Sequence, residues 1–206
     1  MGLPAPLLAT LLLAGCFSLG PTETTTRYYV LGSLMDEVPV EQPVRSDATI
    51  GLTRFSLPPY LESMRIVARR GTNRISFAEF DRWGEDLDRG ISRTVAAHLA
   101  RMLPVRKVEA APWSVGSRPD AAIHVRVMRF EGVAASEEAT GGSAGSIHLL
   151  AAWEIVDTTS REVLANGTTD YREQGWRTGD YAHLVSMLDE ALLVLSREIA
   201  RAVPAL

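Results

Sequence analysis

Apolar positions along this chain recur in three rhythms, and each rhythm marks a different kind of element. From Leu3 to Ala14 they run almost unbroken, with only Pro4, Pro6 and Thr10 between them. A run of about a dozen residues is short of the roughly 20 a membrane span needs, and its prolines would break a core helix. Between Asp120 and Val133 the rhythm is two: Ile123, Val125 and Val127 share one side, and His124, Arg126 and Met128 the other. That alternation predicts a half-buried strand. Ile147 to Val156 predicts a second strand, with Leu149, Ala151, Trp153 and Ile155 on one face. Asp157-Thr158-Thr159-Ser160 turns the chain, and Glu162 to Arg172 returns as a third strand, its Asn166-Gly167 forming either a bulge or a tight turn. Two segments have helical spacing instead. Leu87, Ile91, Val95, Leu99 and Met102 form one stripe that ends before Pro104; Leu184, Leu188, Leu192, Leu195 and Ile199 form another, capped by Asp180.

The first half of the chain is punctuated by prolines and glycines. Arg27-Tyr28-Tyr29-Val30-Leu31 is aromatic and β-branched, which favours a strand. Asp36 to Asp47, with Pro39 and Pro43, reads as a loop, and Ile50 to Phe55 as a strand. Leu57-Pro58-Pro59-Tyr60-Leu61 stops that strand, because two prolines fix φ and remove two backbone donors. Met64 to Arg70 resumes a strand, and Gly71-Thr72-Asn73 turns it into Arg74-Ile75-Ser76-Phe77. The helix behind Trp83 begins with Asp81 or Gly84 near its cap and Glu85, Asp86 and Asp88 in its first turn, where the helix dipole favours negative charge. Val105 to Val108 predicts a short strand, and Glu137 to Ser146, rich in Gly, Ser and Ala, a mobile hairpin loop. The sum is an α+β single domain: a mixed, mostly antiparallel sheet with two long helices packed on it.

Composition narrows the function classes. Of 206 residues, 46% are apolar and 22% charged, as in a folded globular chain. The formal net charge is −4, arginine supplies nearly all the positive charge, and Lys107 is the only lysine. An acidic chain without a basic stripe is a poor nucleic-acid binder. The four histidines, His98, His124, His148 and His183, have no partner at metal-ligand spacing, and a partly buried, hydrogen-bonded role suits His98. The acidic group from Glu79 to Asp88 lacks the ligand order of a calcium loop. Gly141 to Ser146 is followed by a strand and no Gly-Lys-Ser/Thr, so it is not a phosphate loop. No Gly-x-Ser-x-Gly elbow occurs. Nothing here assembles a nucleophile and a base, so no catalytic residue and no cofactor are expected.

One cysteine, Cys16, closes the N-terminal apolar run. A lone cysteine cannot staple its own chain. Leu13-Ala14-Gly15-Cys16 resembles a bacterial lipobox, which implies that residues 1–15 are a lipoprotein signal peptide and that Cys16 is acylated. Met1-Gly2 brings no Lys or Arg to its start. Residues 16–26 then form the lipidated N-terminus and a flexible tether, and 27–206 the domain. Phe17 stands where inner-membrane retention would require Asp, which implies the periplasmic face of the outer membrane in a Gram-negative-type envelope.

Behind that lipobox come Tyr28-Tyr29-Val30-Leu31, Leu57-Pro58-Pro59-Tyr60-Leu61, Arg65-Ile66-Val67-Ala68-Arg69 and Arg82-Trp83-Gly84-Glu85-Asp86-Leu87. In this order the chain resembles the ABC-type transport auxiliary lipoproteins. The resemblance implies a non-catalytic accessory that works beside a mammalian-cell-entry (MCE) domain protein and its ABC permease and ATPase, in lipid transport between inner and outer membranes. The rings that such MCE partners form imply a homo-oligomer, which no residue here shows.

Six residues stand out as a candidate docking surface: Pro58, Pro59, Tyr60, Arg65, Arg69 and Trp83. Each has two readings. The arginines, with Arg70 and Arg74, are either a solvated hairpin edge or a dock for carboxylates or lipid headgroups. Pro58, Pro59, Tyr60 and Trp83 are either corners of the core or rigid anchors of an interface. The alternative function is a periplasmic carrier lipoprotein that holds a lipid or other ligand between sheet and helices. Trp113, Trp153, Met128 and Phe130 would line its cavity or else fill the core.

Overall fold

The computed structural model describes residues 25–34 and 46–204. Cys16, the signal segment 1–15, the tether up to residue 24 and most of the loop predicted at 36–47 lie outside the described residues.

The alternating segments pair with each other. Strands β6 (Ala121–Ala134), β7 (Ala144–Asp157) and β8 (Val163–Arg177) form an antiparallel meander. The other side of β6 is shared by two strands at different heights. β2 (Ser46–Leu52) runs parallel to its start, with Ile50 opposite Ala121, and β3 (Arg65–Arg70) runs parallel to its end, with Ala68 opposite Gly132. β2 then pairs with β5 (Val105–Ala110), while β3 turns at Gly71 into β4 (Arg74–Trp83), which pairs with β1 (Arg27–Tyr29). The eight strands make one sheet, forked beyond β6. It is mostly antiparallel by length, although four of its seven pairings are parallel.

Helices α1 (Leu87–Met102) and α2 (Tyr181–Ala202) cover one face. Both apolar stripes are buried throughout, as are Ile123, Val125, Val127, Leu149, Ala151, Trp153 and Ile155 on the sheet. Thr169 Oγ1 on β8 bonds Glu198 on α2, which fixes which face the helix takes. Asp180 caps α2 by accepting from the His183 amide at 3.1 Å. Each large apolar side chain so buried contributes about 1.5–3 kcal/mol.

Five expectations need correction. β2 starts at Ser46 and ends at Leu52 rather than spanning 50–55, because Asp47 and Thr49 belong to the ladder with β5 or its bulge. β4 continues to Trp83, so the α1 cap is Asp86, without a side-chain bond, and not Asp81 or Gly84. Asp81 is instead buried on β4, where Arg27 and Tyr29 donate to it at 2.9 and 2.8 Å. Of the three acids expected in the first turn only Asp88 is there. Asn166-Gly167 is neither bulge nor turn but regular β8 ladder, opposite Glu154 and Trp153. Glycine is required there because a Cβ at 167 would lie 2.4 Å from the Trp153 ring. Finally, β6 carries a register shift between Val127 and Arg129, after which the buried face passes from odd to even positions. Phe130 enters the core, and Glu131 turns to the helix-free face.

Candidate docking site

The helix-free face is crossed by the proline corner. Pro58 is extended (φ −67, ψ 147), and Pro59 opens a single 3-10 turn, Pro59–Leu61. Proline at that position loses nothing, since its missing donor would have no partner there. The turn is closed by the Leu61 and Glu62 amides on the carbonyls of Pro58 and Pro59, at 2.9 and 3.2 Å. Leu61 is buried and pins the corner, whereas Pro59 is exposed and Pro58 and Tyr60 are half-buried.

Tyr60 lies over a charged cluster. Its hydroxyl donates to the Met128 carbonyl at 3.3 Å, and the Arg69 guanidinium stands 6.0 Å from its ring centroid. Arg69 meets Glu131 through two nitrogens, Nε to Oε1 at 2.5 Å and Nη2 to Oε2 at 3.4 Å. Its Nη1 reaches the Thr72 carbonyl at 3.2 Å, and Arg129 lies 3.8 Å from the same carboxylate. Glu131 is fully buried, so this bidentate pair is what lets its charge persist there. The carboxylate bond holds the Arg69 pKa above its ordinary value against burial. Burial, then the Glu131 charge, pushes the Tyr60 phenol up to about 12.

The cluster continues across the sheet. Glu131 stands opposite His148, and His148 opposite Arg172. His148 Nε2 is 2.9 Å from Asp170, which Arg172 also meets at 3.2 Å. Burial lowers the His148 pKa more than Asp170 raises it, so the ring is neutral at neutral pH and takes its hydrogen on Nε2 to donate to the carboxylate.

Three of the six sequence-selected residues, Pro58, Pro59 and Tyr60, thus form the corner, and Arg69 is its foundation. Arg65 belongs to the neighbouring strands: it donates to the Ala78 and Phe77 carbonyls at 2.9 and 3.2 Å and lies 5.3 Å from the Phe77 ring centroid. Trp83 takes the core reading. It is buried and packs 6.4 Å from Phe130, on the side away from the corner. Arg70 and Arg74 tie the hairpin to the β6–β7 connection, through Ala139 and Glu137. Sequence reading missed Glu131, His148 and Asp170. The available signal was the break of alternation between Val127 and Phe130.

Other candidate chemistry is dispersed. No group of three metal-ligating side chains occurs among the described residues. His98 is fully buried between the helices, its Nδ1 3.1 Å from Ser196 Oγ. Phe130 and Trp153 fill the core, and Trp113, half-buried, covers Gly51 while donating to the Leu52 carbonyl at 3.1 Å. The cluster under Tyr60 holds no unpaired nucleophile. Its charges are consumed internally, and what it offers outward is a stiff corner of Pro58, Pro59 and Tyr60.

Comparison with known proteins agrees with this architecture. The family described as "ABC-type transport auxiliary lipoprotein component" matches residues 29–200. A crystal structure of a Xanthomonas campestris protein superposes with a TM-score of 0.64 at 15% identity, over 85% of this chain and 90% of that one. A second solved structure, of an uncharacterized protein, gives 0.65 at 20% identity, over 86% and 97%. At such identities the likeness is one of fold. No protein of curated function matches the sequence.

Proposed function

The chain belongs to the ABC-type transport auxiliary lipoprotein family, and from that premise we propose that it is a non-catalytic, lipid-anchored accessory of an MCE-type ABC transport system that moves lipid between inner and outer membranes. The match over residues 29–200 carries the reading, because it spans nearly the whole domain. The role is positional. Acyl chains on Cys16 hold the protein at the periplasmic face of the outer membrane, and the folded domain docks the transporter.

The geometry supports docking over chemistry. A corner stiffened by two prolines and seated on the buried Arg69–Glu131 pair loses little conformational entropy when it binds. A half-buried tyrosine beside exposed proline suits an interface anchor. A carrier would need apolar space between sheet and helices, and Phe130, Trp153 and the apolar stripes of α1 and α2 occupy that space. Anchoring by acyl chains contributes about 0.8 kcal/mol per buried methylene, and stable attachment takes two signals, which a diacylglyceryl plus an N-acyl group would supply.

Crosslinking in the intact envelope followed by purification tests the reading. An MCE-domain protein should be recovered with the wild type and lost with Pro59→Arg. Recovery of no such protein from wild-type envelopes would overturn it. In parallel, Cys16→Ala should leave the membrane fraction while the domain stays folded. Bound lipid at one copy per chain, seen by native mass spectrometry, would favour the carrier instead.

A further inference from the structure

The strands beside the tether carry a surface that the docking corner does not use. Tyr28 on β1 is paired in register with Arg82 on β4, and Arg82 in turn with Arg65 on β3. Paired residues project from the same face, so Tyr28, Arg82 and Arg65 form one row across three strands. The Arg65 guanidinium stands over the Phe77 ring. Two residues beyond Tyr28, and so on its side of the chain, Val30 packs beside Gly84. Tyr28 is 65% exposed, Val30 60%, Met64 39% and Phe77 36%. Most of the large apolar side chains left open among the described residues therefore gather at this one wing; the others, Val115 and Val163, lie elsewhere.

Charge distinguishes the wing further. Residues 65–82 hold five arginines (65, 69, 70, 74 and 82) against Glu79 and Asp81, a surplus of three positive charges in a chain of net −4. Arg69 and Arg74 are met by Glu131 and Glu137. Arg65 and Arg70 bond only neutral groups of the protein, and Arg82 has no hydrogen bond or ion pair among the described residues. Uncommitted guanidinium beside tyrosine and phenylalanine is the composition of a membrane–water interface: rings settle at headgroup depth, and arginine binds lipid phosphate.

Position selects the occupant. Arg27, the first residue of β1, follows Cys16 by eleven positions. Those eleven residue steps reach at most about 36–40 Å when fully extended, so an acylated Cys16 keeps β1 near the bilayer. We propose that the wing of Tyr28, Val30, Phe77, Arg65 and Arg82 rests on an anionic lipid surface and sets the orientation in which the domain stands on its membrane. This rests on the anchored reading above, and it makes the wing a second contact that fixes tilt where the tether alone fixes only distance.

Mature lipidated protein in phosphatidylethanolamine vesicles with a quarter phosphatidylglycerol provides the test. Acylation blocks Cys16, so a nitroxide can be placed singly by Tyr28→Cys, by Phe77→Cys or, as an aqueous reference, by Val115→Cys. The labels at 28 and 77 should be shielded from a water-soluble nickel relaxer and open to oxygen, while the label at 115 stays open to nickel. Arg82→Gln should weaken the shielding about fivefold, the share of one arginine at an anionic surface, and vesicles of phosphatidylcholine alone should weaken it further. Acylated protein that floats with vesicles yet leaves label 28 as open to nickel as label 115 overturns this proposal and spares the anchor. Shielding that persists in the unacylated Cys16→Ser protein, free in buffer without vesicles or detergent, identifies a protein neighbour at the wing and also overturns it. A mature chain whose intact mass shows no acyl groups, and which does not float, overturns both readings.

Discussion

Arg69 and Glu131 form the one ion pair among the described residues in which both side chains are largely removed from solvent, 13% and 0% exposed. Breaking such a pair leaves a buried charge without its partner, which costs about 3–5 kcal/mol. Arg69→Ala should therefore lower the urea-unfolding free energy by about 3 kcal/mol, with Arg129, 3.8 Å away, limiting the loss. Arg69→Met with Glu131→Met should cost much less than the two single changes together, since the double variant buries no unpaired charge. Strict additivity of the two would show that the pair contributes nothing as a pair.

Gly167 and Trp153 offer a test of packing on the opposite face. An alanine methyl at 167 would lie 2.4 Å from the indole. Gly167→Ala should destabilise by about 1–3 kcal/mol through overpacking, and Trp153→Leu should make the same glycine change nearly neutral. If Gly167→Ala costs as much in the Trp153→Leu background, the close approach is not its cause. Chemical denaturation of the four proteins completes the cycle.

How far the sequence disclosed this protein depends on period. The stripes of α1 and α2 were legible residue by residue, because five positions at helical spacing all serve one buried face. The face of β7 was legible throughout, and that of β6 as far as Val127. Beyond the register shift, Phe130 and Glu131 exchange the sides that continued alternation would give them, so strict alternation misplaces Glu131, the partner of Arg69 beneath the corner. Asp81 misled for a related reason. An acidic residue just ahead of a helix reads as a cap, whereas Arg27 and Tyr29, more than fifty positions away, hold Asp81 in a strand. Pairing of distant segments, such as β2 and β3 sharing β6, leaves no local trace. Pro58, Pro59, Tyr60 and Arg69 were nameable from composition alone, but their meeting over Glu131 was not.

Asp189 on α2 clasps the segment that follows β1. The Gly32 and Ser33 amides donate to its two oxygens at 2.8 and 2.7 Å, and the Ser33 hydroxyl to one of them at 2.5 Å. Leu31 is buried beside this clasp. Asp189→Ala should cost about 2–3 kcal/mol, because hydrogen bonds to a charged acceptor are lost and two amides are left without it. The loss should be local at first. Hydrogen exchange at Gly32 and Ser33 should quicken well before exchange in β6 or β7, and uniform quickening across the sheet would argue against a clasp.

Stability should fall in mild acid through His98. The ring is fully buried, and Ser196 Oγ gives its own hydrogen to the Leu192 carbonyl at 2.7 Å, so His98 Nδ1 must carry the proton that it donates to that hydroxyl. Nε2 then has no partner among the described residues, and a second proton there would be a buried, unpaired charge. Burial lowers the His98 pKa, and the Asp189 charge only partly opposes it. An unfolded histidine titrates at about 6.5. Below that value the unfolded chain takes up a proton that the folded chain refuses, so stability is complete above it and declines as pH falls toward the folded pKa. His148, also lowered chiefly by burial, adds a decline of the same sign. Urea midpoints measured from neutral pH downward should therefore decline, by at most about 1.4 kcal/mol per pH unit for each histidine. His98→Gln should flatten part of that slope and His148→Gln another part. A wild-type slope retained in full by His98→Gln would mean that the buried ring accepts its second proton without cost.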